Sequence, residues 1–378
     1  MSEISICSSG KTISRVFVEE EIGGLESHLA NYRHVFTVMD SNVAMQCPAA
    51  QELAQIMNRK GVPGKLIDAS EETKTLDTVA DICGWLLDSG ADRDALVLAV
   101  GGGVTSDVVG FAASIYKRGV RFANVPTTLL SQVDAAIGGK TGVNFERYKN
   151  MLGVIRQPEF TFICPQVLDS LPHRDFISGA AEMLKTFIIE DGGWYAKATE
   201  VLAEMHNGYA GLPEDNADEY WSDSIYAYSK ELTELIAAAV RVKAGVVSRD
   251  QFEKGERRKL NLGHTFAHAI ETLSRYKGMD MTHGEAVSIG LVLAARLAEQ
   301  LTLAGRFYAE SGLAERIEKD LSRCGLPVSG HFHVDDMATA MSKDKKAEAG
   351  QIHFVLPKTT GEVEIVDLTV NEVCQLLA

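Results

Sequence analysis

The feature that most constrains the fold is a rhythm. Up to about residue 172, short β-branched or apolar runs alternate with stretches of helical spacing. The runs are RVFVEE, HVFTVMD, GKLIDA, ALVLAVGGG, ANVPTT and FTFICP, and PAAQELAQIMNRKG and TLDTVADICGWLLDSG are among the helical stretches between them. Such alternation specifies a mostly parallel sheet, because each parallel crossover needs a helix-sized connection. From residue 173 the pattern changes. RDFISGAAEMLKTFIIED, YAYSKELTELIAAAVRVKAGVV, LGHTFAHAIETLSRYKG and GEAVSIGLVLAARLAEQLT read as amphipathic or buried helices. A late strand pair, QIHFVLPK and EVEIVDLT, is joined by TTG. With 378 residues the chain exceeds the roughly 250–300 residues at which single cores stop growing. The expectation is an α/β domain over residues 1–172 and a mainly helical domain over 173–378, with a ligand cleft between them.

Charge narrows the partners. Lys and Arg against Asp and Glu give 37 − 52 = −15, which argues against nucleic acid and against an anionic membrane. An anionic ligand would need a local cluster of cations working against that field. The six cysteines, Cys7, Cys47, Cys83, Cys164, Cys324 and Cys374, show no paired spacing, so reduced thiols in a cytoplasmic compartment are expected. The start, MSEISICSSGKTISRVFVEE, lacks a signal-peptide pattern, and the apolar run AVSIGLVLAARLAEQL is broken by Arg296.

Several motifs carry chemistry. In ALVLAVGGGVTSDVVGF a strand runs into Gly101, Gly102 and Gly103, then a helix start with Asp107. Glycines there let backbone N–H groups approach a pyrophosphate, although GxGxxG is absent and a tight strand-to-helix turn reads equally well. VPTTLLSQVDAAIGGKTGVN adds a second glycine-bearing loop with Lys140, and sets Asp134 in an apolar stretch where a carboxylate needs a partner or a function. Arg118, Lys140 and Lys149 near such loops are the local inversion of charge sought above. In GAAEMLK, Glu182 and Lys185 share a helix face, as an ion pair or as part of a site. LNLGHTFAHAIE places His264 and His268 four residues apart on one face: two ligands, a catalytic pair, or two core histidines. His283, in MTHGEAV, would complete with His264 and Glu182 a two-histidine, one-carboxylate set suited to Zn²⁺.

Taken together, GGGVTSDVVGF, YKRGVRF, VPTTLLSQVDAAIGGKTGVN, LPHRDFISGAAEMLK, LNLGHTFAHAIE and HGEAV resemble the 3-dehydroquinate synthase family, in family order from about residue 36 to DKK at 344–346. The resemblance implies a Rossmann-like α/β domain binding NAD, a helical metal-binding domain and a homodimer. It implies conversion of 3-deoxy-D-arabino-heptulosonate 7-phosphate to 3-dehydroquinate and phosphate. The steps would be oxidation by NAD, β-elimination of phosphate, return of the hydride, ring opening and aldol closure. By position, Glu182, His264 and His283 match ligands of zinc or cobalt. Asp40, Asn42, Glu71, Lys74, Gly101 to Gly103, Asp107, Thr127 and Thr128 match NAD-holding positions, and Lys140 and Lys149 lie beside them. Asp134, Lys140, Asn150, Lys185, Lys243, Arg257, Asn261, His268 and one of Lys345 or Lys346 match substrate positions, and Arg118 matches a residue offered to the neighbouring subunit.

A substrate with a carboxylate and a phosphate explains why an acidic protein would gather so many cations. Ser106, Lys117 and Tyr148 depart from common family residues (Gly, Met and Gly) without removing a charged group. The alternatives are a 2-deoxy-scyllo-inosose or 2-epi-5-epi-valiolone type of sugar-phosphate cyclase, a metal-dependent glycerol or alcohol dehydrogenase, and a catalytically dead NAD-binding or scaffold protein. Arg257, Lys243 and GGKTGVN favour the dehydroquinate reading.

Overall fold

The computed structural model describes residues 2–377 except 147, 211, 213, 331, 333 and 344–350. The chain forms two compact units, Met1–Phe176 with Glu214–Phe252, and Ile177–Pro213 with Glu253–Ala378. The chain first passes from one unit to the other between Phe176 and Ile177. Residues 214–252, expected in the second domain, instead pack with the first unit. The helix Ser229–Arg249 lies against the first two strands of the chain, and Cys7 N–H donates to Ser248 Oγ at 2.9 Å.

The first unit is built on seven strands. These are β1 (Ser2–Ser8), β2 (Lys11–Val18), β3 (Val35–Asp40), β4 (Gly64–Ile67), β5 (Leu96–Gly101), β6 (Arg121–Pro126) and, after an intervening ribbon, β9 (Phe160–Ile163). The order is β1-β2-β9-β6-β5-β3-β4, parallel throughout except for the antiparallel β1–β2 pair. The opening hairpin escapes a reading based on crossovers, because antiparallel strands need only a short turn, here Ser9–Gly10. β3, β5 and β9 are buried at every position, as expected of parallel strands covered on both faces. One side packs Phe36, Val38, Val97 and Ala99 against Val79, Ile82 and Leu86 of the helix Leu76–Asp88 and Val108 and Val109 of Gly103–Ile115. A separate antiparallel ribbon, β7 (Lys140–Phe145) with β8 (Tyr148–Ile155), packs on the helix Gly103–Ile115. Chain order reverses between β3 and β5: β4 adds on one side of β3 and β5 on the other. Such a switch point opens a crevice at the carboxyl ends of the strands.

The second unit is mainly helical, with the expected antiparallel pair β10 (Ile352–Thr359) and β11 (Glu362–Leu368). Its central helix, His283–Leu303, buries Ala286, Val287, Ile289, Leu291, Val292, Ala294, Leu297 and Leu301. It is long and apolar enough to cross a membrane, but 67% of that window is buried within the protein, as in the core helix of a globular unit. A capping box starts it: Thr282 Oγ1 accepts from Glu285 N–H at 3.3 Å, and Glu285 Oε2 accepts from Thr282 N–H at 2.8 Å. Two close approaches fix its position. A Cβ on Gly284 would lie 1.9 Å from Ser178 O, and one on Gly290 would lie 2.3 Å from Gly263 O. Only hydrogen at these positions lets the helix touch the backbones that carry Glu182 and His264.

Candidate functional site

The helical unit assembles a compact donor set. Glu182 comes from the middle of the helix His173–Ile189, His264 from the first position of His264–Lys277, and His283 from the first position of His283–Leu303. Glu182 Oε1 lies 3.5 Å from His264 Nε2 and 3.2 Å from His283 Nε2, and one donor atom from each residue lies within 4.8 Å of the others. Ligands at about 2.1 Å in a tetrahedron stand roughly 3.4 Å apart, so these separations suit a zinc-sized ion.

The protonation states also ask for a cation. Burial, and then the adjacent Lys185 ammonium, hold His264 down at about 3, so its ring is neutral. Its Nδ1 lies 3.1 Å from Leu262 O, and a proton shared there leaves the Nε2 lone pair facing a carboxylate oxygen. Glu182 is fully buried; that burial is outweighed first by the Lys185 ammonium and then by His283, which hold the carboxyl well below its ordinary value. His283 feels burial in one direction and the carboxylates of Glu182 and Glu271 in the other, and is pushed up to about 10. A positive charge between Glu182 and His283 is therefore strongly favoured. A divalent ion held by these three donors would take the place of the His283 proton, and three protein ligands would leave a position open.

Around this set, Lys185 Nζ sits 2.5 Å from Glu182 Oε2 with both side chains only 1% exposed. His268 lies on the same helix, its ring centroid 5.6 Å from that of His264, outside the group of three donors. Asn261 Nδ2 donates to Glu253 Oε1 at 2.9 Å, and Arg257 is 2% exposed on the same short turn. Lys345 and Lys346 lie outside the described residues.

The α/β unit gathers a second set at the switch point. Asp40 ends β3 and its Oδ1 accepts from Asn42 N–H at 3.0 Å. Gly101 ends β5, Gly102 and Gly103 begin the helix Gly103–Ile115, and Thr127 and Thr128 follow β6. Thr105 Oγ1 and Thr127 Oγ1 are buried with no hydrogen-bond partner among the described residues. Unsatisfied hydroxyls beside a helix N-terminus fit the polar demands of a nucleotide. Ser106, the departure from the family pattern, is absorbed within the helix, its Oγ donating to Gly102 O at 3.0 Å. Burial raises the Asp107 carboxyl, and Lys74 opposes the shift. Lys74 Nζ lies 2.5 Å from Asp107 Oδ2 and 2.6 Å from Asn150 Oδ1, joining positions expected to serve cofactor and substrate. Glu71, Lys140, Lys149 and Asn150 are exposed.

The apolar stretch around Asp134 folds as one turn of π-helix, Ser131–Ala135, a geometry common at functional sites. Its carboxylate finds the expected partner, with Lys243 Nζ 2.5 Å from both Asp134 Oδ1 and Asp134 O. Lys117 and Arg118 both adopt positive φ (48° and 69°), a strained backbone held by Lys117 Nζ and Tyr116 Oη donating to Ala91 O. Arg118 itself is exposed. Sequence reasoning missed Glu271 and Glu253. Glu271 stands inside the LNLGHTFAHAIE motif, seven residues and two helical turns after His264, a spacing that could have drawn attention to it. Glu253 lies in a loop and carries no periodic signal.

Among solved structures, 2-epi-5-epi-valiolone synthase from Streptomyces hygroscopicus subsp. jinggangensis 5008, with NAD⁺ and Zn²⁺ bound, is 27% identical with a TM-score of 0.79, over 99% of this chain and 98% of that one. 2-Deoxy-scyllo-inosose synthase complexed with carbaglucose-6-phosphate, NAD⁺ and Co²⁺ gives the same score at 24% identity, over 100% and 99%, a likeness of fold. Fold and donor set thus define a protein of the dehydroquinate-synthase-like class, shared with the sugar-phosphate cyclases. The family profiles described as 3-dehydroquinate synthase N-terminal and C-terminal match residues 65–178 and 179–347. The 3-dehydroquinate synthase of Alkaliphilus metalliredigens (strain QYMF) is 36% identical over 93% of this chain and 92% of its own length. The chain belongs to the 3-dehydroquinate synthase family.

Proposed function

We propose that the chain converts 3-deoxy-D-arabino-heptulosonate 7-phosphate into 3-dehydroquinate and phosphate. It is a carbon–oxygen lyase that uses NAD without net oxidation and belongs to the shikimate route to aromatic amino acids. The observation that carries this is the Glu182, His264 and His283 set, in a chain 36% identical over 93% of its length to a 3-dehydroquinate synthase.

Glu182, His264 and His283 would hold the metal. The switch-point residues Asp40, Asn42, Glu71, Lys74, Gly101 to Gly103, Asp107, Thr127 and Thr128, with Lys140 and Lys149, would hold NAD. When bound, the metal supplies Lewis-acid polarisation of a hydroxyl, and NAD accepts and returns a hydride. The chain's own residues do the rest. Lys140, Lys185, Lys243 and Arg257 offer positive charge to a substrate carboxylate and phosphate. Asp134, Asn150 and Asn261 orient hydroxyls through hydrogen bonds. His268 Nε2 binds substrate or passes a proton through water. Holding one substrate through several steps depends on such fixed groups more than on mobile acids.

The reading includes a homodimer in the cytoplasm. Ile115, Phe145, Tyr148, Met151 and Val154, on or near the β7–β8 ribbon and the Arg118 turn, are exposed, apolar side chains that a second copy would cover. All six cysteines are free thiols, in keeping with a reducing compartment.

Purified protein with catalytic NAD⁺ and Zn²⁺ or Co²⁺ should release phosphate from the heptulosonate phosphate, and a chelator should abolish the release. No phosphate under those conditions rejects the activity. Equal turnover of phosphorylated sugars that lack the carboxylate would favour a different cyclase, and NADH accumulating without phosphate release would favour a dehydrogenase.

A further inference from the structure

Asn144 is the last residue of GGKTGVN, and neither the cofactor nor the substrate assignment uses it. It sits near the end of β7, partly buried. Its backbone N–H donates to Lys74 O at 2.9 Å. Its Oδ1 accepts from Asn150 N–H at 2.9 Å. Its Nδ2 donates to Glu71 Oε1 at 2.8 Å and to Glu71 O at 3.3 Å. One side chain therefore ties the loop after β4 to the ribbon β7–β8.

The bonds also close a ring. Lys74 O accepts from Asn144, Asn144 Oδ1 accepts from Asn150, and Asn150 Oδ1 accepts from Lys74 Nζ at 2.6 Å. Asn150 takes part from a left-handed conformation, φ 51°, which Asn tolerates better than most residues. The Asn144 oxygen on its N–H is one of the bonds that hold it there. An amide is the group this position requires, because it donates and accepts at once. A carboxylate would keep the bond to Asn150 and lose the donor facing Glu71. An alkyl side chain would lose both.

We propose that Asn144 is a positioning residue that couples the cofactor-side pair Glu71 and Lys74 to the substrate-side Asn150. NAD binding and the placement of Asn150 would then share one hydrogen-bonded ring. This rests on the functional reading above.

The test separates the two arms of the amide. NAD⁺ affinity is measured by titration of the metal-free protein, and KM and kcat are measured for the heptulosonate phosphate. Asn144→Ala should weaken NAD⁺ binding and raise substrate KM, each by about tenfold for the loss of a bond of this kind. Asn144→Asp should weaken NAD⁺ binding, because it sets a carboxylate against Glu71, while KM stays near wild type. Adding Glu71→Gln to Asn144→Asp restores a donor–acceptor pair with its direction reversed, and should recover NAD⁺ affinity relative to Glu71→Gln alone. A purely structural role would lower both affinities in step with melting temperature in every variant, and that result, or wild-type behaviour in all of them, overturns the proposal. Failure of the functional reading looks different: the wild-type chain itself then releases no phosphate.

Discussion

At the scale of single residues, charge pairing decides which polar side chains this chain can bury. Buried Glu182 is met by Lys185, and half-buried Asp134 in its apolar stretch by Lys243. A buried carboxylate without such a partner would cost several kcal/mol or lose its charge. The two histidines of LNLGHTFAHAIE then part company. His264 Nε2 faces Glu182, whereas the His268 ring stands one helical turn along, outside the donor group. His264→Ala should lose bound zinc, with residual metal by elemental analysis below about a tenth of wild type, since one of three ligands is gone. His268→Ala should retain the metal and lose turnover. Equal loss of metal in both variants would contradict this division of roles.

At the scale of elements, the donor set depends on how closely helices meet. Glu182, His264 and His283 lie on three helices, and two glycine contacts draw those helices together. Gly284 meets the backbone of Ser178, one turn before Glu182, and Gly290 meets Gly263, one residue before His264. Gly284→Ala places a methyl group 1.9 Å from Ser178 O, so the start of the helix His283–Leu303 must move. A displacement of about 1 Å is enough to spoil a site that needs its ligands within about half that distance. The expected result is a folded protein by circular dichroism whose Co²⁺ affinity falls by at least tenfold, read from the visible spectrum of the bound ion. Unchanged Co²⁺ binding would show that the close approach does not set the site. The ribbon β7–β8 plays the corresponding part in the α/β unit, bringing Asn144 and Asn150 to the loop of Glu71 and Lys74.

At the scale of the whole molecule, the strained turn at Lys117 and Arg118 bears on assembly. In the proposed dimer, Arg118 would serve the partner's site, so each site would draw His264 from one subunit and Arg118 from the other. Arg118→Ala and His264→Ala, each inactive alone, should recover about a quarter of wild-type activity after random re-mixing, because half the dimers are mixed and each holds one intact site. No recovery from verified mixed dimers would place Arg118 in its own subunit's site. Much of this molecule was legible beforehand. Strand–helix alternation showed the parallel sheet, and the glycine turn after β5 and the residue types of the donor set marked where chemistry could lie, because these follow from local backbone preferences and side-chain inventory. The antiparallel β1–β2 opening, the passage of residues 214–252 into the first unit and the roles of Glu253 and Asn144 were not legible. A helical pattern records which face is apolar but not which surface will cover it, and a hydrogen bond between residues 73 apart, such as that of Asn144 with Glu71, leaves no periodic trace. Sequence alone thus determined the class of fold and the kinds of ligating side chains. Tertiary structure decided that Glu182, His264 and His283 meet at one point while His268 stands apart, because convergence depends on backbone approaches such as that of Gly284 to Ser178, 106 residues apart in the chain.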